Sequence, residues 1–439
     1  MATITNIAAA PSKSSYHRLD PAHLKRRHRS EWFYRTSGFT AILIGISFLC
    51  MIITSIVWKG WSAFLQTNLT LEVFLDKEQI NPDGRTDLIT LHKGNYRQIA
   101  RNSLYKQLGF SKNPPLATRR QLNKLLSRGV DVQIRDYVLS NPSVIGQTIK
   151  IPVLAHGNVD AFMKGSISRN TPSDRRQLND QQVEWVDKLH AGGALYRDWN
   201  WGLFRFGASS QPETSGLRVA IIGSFFMMLI VIVLAVPLGV AAAAYLEEFA
   251  PKNWITDIIE VNINNLAAVP SIVFGLLGLS VFINIVGLPR SASLVGGLVL
   301  TLMTLPTVII ATRASIRAVP PSIREAAFGV GASKMQTLFH HTMPLAFPGV
   351  LTGTIIGLVQ ALGETAPLLM IGLVAFVVDA PSTPLDPSTA LPVQIYMWAT
   401  SAERGFVERT AGATIVLLAF LIIMNAVAII LRRYFERRW

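Results

Sequence analysis

Cysteine is almost absent. Cys50 is the only one in 439 residues, so no intrachain disulfide can form and cysteine use says nothing of the redox compartment. Charge is scarce as well: Asp, Glu, Lys and Arg make up 15% of the chain, against about 25% in a soluble domain. With half of all residues hydrophobic, this excludes an ordinary soluble enzyme. It also excludes disorder, which requires low hydrophobicity. No metal-ligand spacing and no nucleophile motif stands out, so no catalytic residue, metal or cofactor is expected.

What is present is long and apolar. Six windows without Asp, Glu, Lys or Arg run over Thr36–Trp58, Val219–Leu246, Val261–Pro289, Ser291–Thr312, Met335–Gly363 and Thr410–Leu431. A helix needs roughly 20 apolar residues to cross a bilayer, so the chain is expected to be an all-α polytopic membrane protein with about six spans. The net charge of +14 sits largely beside the windows. Seven Lys/Arg precede Thr36, among them Lys25, Arg26, Arg27 and Arg29, and four follow Leu431. An RNA-binding arm is the rival reading of such a tail. Basic residues flanking spans are held in the cytoplasm, which places both termini inside and excludes nucleic acid as a partner. The first window is too long for a signal-peptide core and is followed by Trp58 and Trp61 instead of a small-residue cleavage site, so it reads as a retained anchor.

The divisions follow: a basic cytoplasmic tail (1–36), a first span (37–58), an extracytoplasmic domain (59–216), a membrane domain (217–431) with a cytoplasmic loop at 313–345, and a basic tail (432–439). The outer segment is long enough to bury its own core and is expected to be mixed α/β. Leu69, Leu71, Val73 and Leu75 alternate as in a strand. Asn113-Pro114-Pro115 to Arg128-Gly129 and Thr171-Pro172 to Gly192-Gly193 carry helix punctuation. Trp199, Trp201, Phe204 and Phe206 fit an interfacial belt or an aromatic ligand cluster. Within the membrane half, Asn262, Asn264, Asn265 and Pro270 lie at membrane depth, where polar groups require protein or water around them. They line a path or bond neighbouring helices. Arg313 is an inside anchor or an anion contact. Glu364, the only acid between Glu325 and Asp379, is costly inside a span and marks a functional site or a structural ion pair. Gln360 stands one turn before it and Thr365 follows it. Gly349, Gly353 and Gly357, each four apart, form a stripe for close helix packing.

Arg324-Glu325-Ala326-Ala327-Phe328-Gly329-Val330-Gly331, with Pro344 thirteen residues on, resembles the EAA loop of ABC importer permeases. An Ala-rich helix, a Gly break and a second short helix suit a compact element that enters a groove on a partner. Its coupling residues are Arg324, Glu325, Ala326, Ala327, Gly331, Lys334 and Pro344. Together with Asn264-Asn265-Leu-Ala-Ala-Val-Pro270-Ser and Gly363-Glu364-Thr365-Ala-Pro367-Leu, the loop makes the membrane half similar to phosphate ABC transporter permeases of PstA type, and the outer segment resembles the extension of a longer form of that family. The resemblance implies a MetI-like fold in a bacterial inner (plasma) membrane. It implies a second homologous permease, a cytoplasmic ABC ATPase dimer and an extracytoplasmic (periplasmic) phosphate-binding protein as partners, besides the lipid bilayer. The residues assigned to the translocation path are Glu364, Thr365, Gln360, Asn264, Asn265 and Arg313. Relatives often carry Arg where Gln360 stands. No Gly-x-x-x-x-Gly-Lys-Ser/Thr loop occurs, which leaves ATP hydrolysis to another chain. The rival functions are a permease for another oxyanion such as sulfate or molybdate, a membrane-anchored sensor, and a secondary transporter, which usually shows a repeated half.

Overall fold

A computed structural model of the chain describes residues 21–80, 88–111, 113–170, 172 and 176–435. Residues up to Ser55 form a unit of their own, and Ile56 onward forms a second. The first unit is the body of helix α1 (Pro21–Gly60), continuous over 40 residues. At 1.5 Å per residue such a helix is roughly 60 Å long, more than a bilayer's hydrocarbon thickness.

The second unit begins with a mixed α/β domain. Its sheet has three antiparallel strands in the order β2-β1-β3, with β1 (Leu65–Phe74) in the centre. Strand β2 (Thr148–Leu154) pairs from Asn68↔Leu154 to Phe74↔Thr148, and β3 (Leu195–Trp199) pairs from Leu65↔Trp199 to Leu69↔Leu195. The period-two run explains the burial: Leu69, Leu71 and Val73 are shut inside while Glu72 and Phe74 are exposed. Helices α2 (Tyr96–Leu108), α3 (Val130–Ser140) and α5 (Asp180–Ala191), with the short α4 (Gly157–Met163) between the last two, supply the rest of one core. Ile99, Leu104, Ile134, Val138 and Val186 share one core with Leu69, Leu71 and Val73 of β1.

Two helix boundaries differ from the sequence reading. The run after Pro115 is helical only over Leu116–Leu122, followed by a 3₁₀ turn to Leu125. Leu126 then pairs antiparallel with Ala155, so sheet-like pairing ends the helix before Gly129. The second helix starts at Asp180 because Asn179 caps it: the Asn179 side chain accepts from the Gln182 N–H and Gln182 reaches back to the Asn179 N–H. Thr171 lies outside the described residues.

The membrane half is built from α6 (Arg218–Ala244), continued by a π turn to Phe249; α7 (Trp254–Ala267) and α8 (Ser271–Leu277), the latter prolonged by a π segment to Ile285; α9 (Ser293–Arg317); the short α10 (Pro321–Gly329) and α11 (Lys334–Thr337); α12 (Met343–Gly363); α13 (Ala366–Met370); and α14 (Gly405–Phe435). Among the described residues five helices, α1 included, are long and apolar enough to span a membrane, and the α7–α8 pair makes six if it counts as one span. That pair does not run straight. It bends by 103° where Pro270 has no N–H to continue the helix. Helix α6 packs against α9 around Met227, Val231, Val295 and Val299. Here Gly239 admits the Val308 side chain and Gly297 admits Ile230.

Candidate functional site

The EAA-like loop folds as a helix-turn-helix between α9 and α12. Helix α10 ends at Gly329, and the chain turns through Gly331 at φ +87°, a left-handed conformation that favours glycine. Ser333 then caps α11: its hydroxyl accepts from the Gln336 N–H at 3.2 Å and the Gln336 amide oxygen accepts from the Ser333 N–H at 2.9 Å. A π turn over Leu338–Thr342 joins α11 to α12. Pro344, in the first turn of α12, has no N–H for the carbonyl four residues back, and a local change of helix pitch beside it is the usual accommodation.

Arg324 is the anchor of this loop. Its Nε donates to Glu248 Oε1 at 2.9 Å, and its two Nη groups donate to the carbonyls of Val319 (2.9 Å) and Ile316 (2.8 Å). The guanidinium therefore caps the C-terminus of α9 and ties α10 to the π turn after α6. Ala327 is buried under α10. Glu325, Ala326, Gly331 and Lys334 are exposed. So are four apolar side chains: Phe328, Val330, Met335 and Phe339, of which Val330 is 85% exposed. This is an apolar surface around a glycine turn, with a free carboxylate and a free ammonium on it.

The path residues proposed from sequence are not brought together within this chain. Arg313 is buried, but it faces acids: Nε lies 3.3 Å from Glu247 Oε2 and the guanidinium also pairs with Glu260 of α7. Arg317 pairs with Glu247 at 2.6 Å. Glu247 and Glu260 thus hold Arg313 and Arg317 in one ion-pair network joining the end of α6 to α7 and α9, and the separate Glu248–Arg324 pair ties in α10. Sequence reading had not singled out these three acids. The Glu247-Glu248 pair at the end of an apolar window, with Arg313 and Arg317 closing α9 and Arg324 following it, was the available signal.

Glu364 sits at the break between α12 and α13, half-buried, with extended backbone (φ −77°, ψ 126°). The expected continuous span fails here because Pro367 cannot donate to the carbonyl of Gly363. Gln360, one turn earlier on α12, is exposed. Thr365 is half-buried. Among the described residues no cation pairs with Glu364, and Arg313 and Arg317 at the end of α9 are engaged with Glu247 and Glu260. Asn264 and Asn265 are exposed on α7, which buries no residue at all, and Asn262 donates to its own helix at Ile258 O (2.8 Å). Gly349 and Gly353 lie against Ser315 and Ala311 of α9, with Gly357 facing Thr307 at van der Waals distance.

Residues 235–439 match the family model of binding-protein-dependent transport system inner membrane components, and residues 21–173 match a domain of unknown function, DUF3333. A probable ABC transporter permease protein of Bacillus subtilis, YqgI, is 35% identical over 163 residues, covering 37% of this chain and 55% of the relative. The phosphate transport system permease protein PstA 1 of Mycobacterium tuberculosis is 31% identical over 258 residues, covering 58% of this chain and 82–83% of the relative. Among solved structures, the inward-facing MetNI methionine ABC transporter aligns with a TM-score of 0.40 at 18% identity, covering 50% of this chain and 96% of that one. Permeases of this kind are non-catalytic, ATP being hydrolysed by a separate ATPase. The chain belongs to the binding-protein-dependent transport permeases of inner membranes, within the PstA-type phosphate ABC transporter permease family.

Proposed function

We propose that this chain forms one half of the translocation path for inorganic phosphate, the other half coming from a second, homologous permease. The N- and C-termini and the loop at 313–345 lie in the cytoplasm, and the α/β domain at 59–216 lies outside. A soluble phosphate-binding protein delivers the anion, and a cytoplasmic ATPase dimer drives alternating access. The observation that carries this reading is the helix-turn-helix at Pro321–Thr337: its exposed Phe328, Val330 and Met335 fit a groove, while Arg324 fixes it to the ends of α6 and α9. Glu325, Ala326, Ala327, Gly331, Lys334 and Pro344 shape that element. Glu364, Thr365, Gln360, Asn264, Asn265 and Arg313 are assigned to the path, and Gly349, Gly353 and Gly357 to helix packing.

The assignment of phosphate follows the relatives' substrate, joined to the Glu364 motif. An unpaired carboxylate in an anion path would repel the substrate, so the cation missing beside Glu364 is supplied by the partner permease. Copurification of the tagged full chain with an ABC ATPase tests the coupling. Retention of the ATPase by wild type and its loss with Gly331→Trp, at equal membrane abundance, is the expected result. Equal retention by both removes the loop from the interface.

A further inference from the structure

Helices α6, α12 and α14 leave a groove of about 190 Å³ between them. Ile232 and Val236 of α6 line it, with residues from Leu351 to Leu362 on α12 and from Leu421 to Leu431 on α14. At 1.5 Å per residue the last two stretches are each roughly 15 Å long. That is about half of a bilayer's 30 Å hydrocarbon core, so the groove is one leaflet deep. Its walls are aliphatic or methionine except for Thr354 and Asn425, and the Thr354 hydroxyl is closed off from the surface.

One end of the groove is cationic. Ala428 lines it, and Arg432 stands one turn further along the same face of α14. Arg432 is half-buried, and its Nη1 donates to Thr352 Oγ1 at 3.3 Å. The guanidinium is thereby held against α12 beside the Leu351 end of the lining. That bond uses one of five N–H donors. Arg433 follows, exposed. Among the described residues neither arginine forms an ion pair. No Asp or Glu occurs in Arg218–Ala244, in Met343–Gly363 or from Leu421 to Phe435, so the groove's own helices bring no carboxylate to it. Glu436, next in sequence, is outnumbered by Arg437 and Arg438.

An apolar groove one leaflet long that ends in cations has the pattern of a phospholipid, apolar along its chain and anionic at its phosphate. A transmembrane helix is the other occupant such a surface could take. A helix about 10 Å across has a section of roughly 80 Å², whereas 190 Å³ over about 15 Å leaves a section on the order of 13 Å². The space suits a single chain of methylenes and not a helix. We propose that the groove holds one acyl chain of an anionic phospholipid, in the leaflet on the C-terminal side of α14, with the lipid phosphate on Arg432 and Arg433. The lipid then seats α14 against α6 and α12. This site is independent of which anion the chain transports.

The test is native mass spectrometry of the full chain released from detergent micelles, after incubation with phosphatidylglycerol or, separately, phosphatidylcholine. Wild type should retain phosphatidylglycerol in preference. Arg432→Ala with Arg433→Ala should weaken its retention about thirtyfold, the loss expected for two cations beside an anionic headgroup. Ala428→Phe, which fills the groove, should lower retention of both lipids, with thermal unfolding in lipid-free detergent confirming the fold. The arginine pair lies beyond the lining, so its result stands even where the added phenyl ring disturbs packing. Equal retention of the two lipids, or indifference to the arginine changes, overturns the site. Loss with the arginine pair but not with a folded Ala428→Phe leaves a charged surface without a groove and overturns it too. Asn425→Leu identifies the rival occupant, because it spares an acyl chain's contacts and removes a polar bond to a docked helix. Loss of a copurifying permease with Asn425→Leu, while lipid retention ignores Ala428→Phe, assigns the groove to that helix and overturns the proposal.

Discussion

Lys164 Nζ lies 2.8 Å from Glu408 Oε1 and 2.6 Å from Asp160 Oδ2, with its side chain only 2% exposed. A cation of the α/β domain is thereby held between a carboxylate of its own domain and one at the start of the last membrane helix. Asp160 is itself fixed, accepting from the Thr67 N–H at 2.8 Å, so the pairing reaches from α14 to the central strand β1. Removing one member of a buried pair leaves the other unpaired, at a cost of roughly 3–5 kcal/mol. Lys164→Met should destabilise the chain by about that much, and Glu408→Gln in the same background should add much less than it does alone. Thermal unfolding of the four members of this cycle in detergent checks the coupling; additive losses would show that the two residues act independently.

The glycine stripe of α12 makes a graded prediction. A Cβ at Gly353 would overlap the Cβ of Ala311, whereas at Gly357 the nearest side-chain atom would be 3.8 Å away. Gly353→Val should therefore cost about 1–3 kcal/mol through overpacking, and Gly357→Ala should be close to neutral. Thermal stability and membrane abundance of the two variants measure this, and equal behaviour would contradict the packing described here.

The anchoring of the helix-turn-helix can be cut from either side. Arg324→Ala removes the donors to Ile316 O, Val319 O and Glu248, and Glu248→Gln removes only the last. Uptake should fall more steeply with Arg324→Ala, while the ATPase of the assembled complex keeps hydrolysing ATP, because the transmitting element is loosened and not removed. Tight coupling of hydrolysis to uptake in Arg324→Ala would contradict this role.

Glu364 separates stability from transport. With no cation beside it among the described residues of this chain, Glu364→Gln should leave the thermal stability of the isolated chain within about 0.5 kcal/mol of wild type, as for a surface change. In the assembled transporter the same change should impair uptake if, as proposed, the partner permease supplies the pairing cation. Loss of stability in the isolated chain, with normal uptake once assembled, would reverse that assignment.

Much of the framework was readable from local pattern. Charge-free windows mark the long helices, and the alternation from Leu69 to Val73 marks the central strand. What escaped depends on distance in sequence or on a single missing donor. Lys164 and Glu408 stand 244 positions apart, and nothing in the neighbourhood of either announces the other. Pro367 is plain in the sequence, yet its effect, ending α12 at Gly363, follows only when its missing N–H is traced back one turn. Pro270 likewise sits inside an unbroken apolar window and bends it by 103°. Arg313 reads as an inside anchor or an anion contact because its partners, Glu247 and Glu260, lie on other helices.

The central claim is that this chain carries phosphate under the drive of an ATPase docked on the loop at 313–345. The most direct measurement is ATP-dependent uptake of radiolabelled inorganic phosphate by proteoliposomes holding the assembled transporter, with wild type compared against Glu325→Lys and sulfate as competitor. The account predicts phosphate uptake by wild type that excess sulfate does not suppress, and loss of uptake in Glu325→Lys at equal incorporation. Undiminished uptake by Glu325→Lys, or uptake of sulfate in place of phosphate, would contradict it.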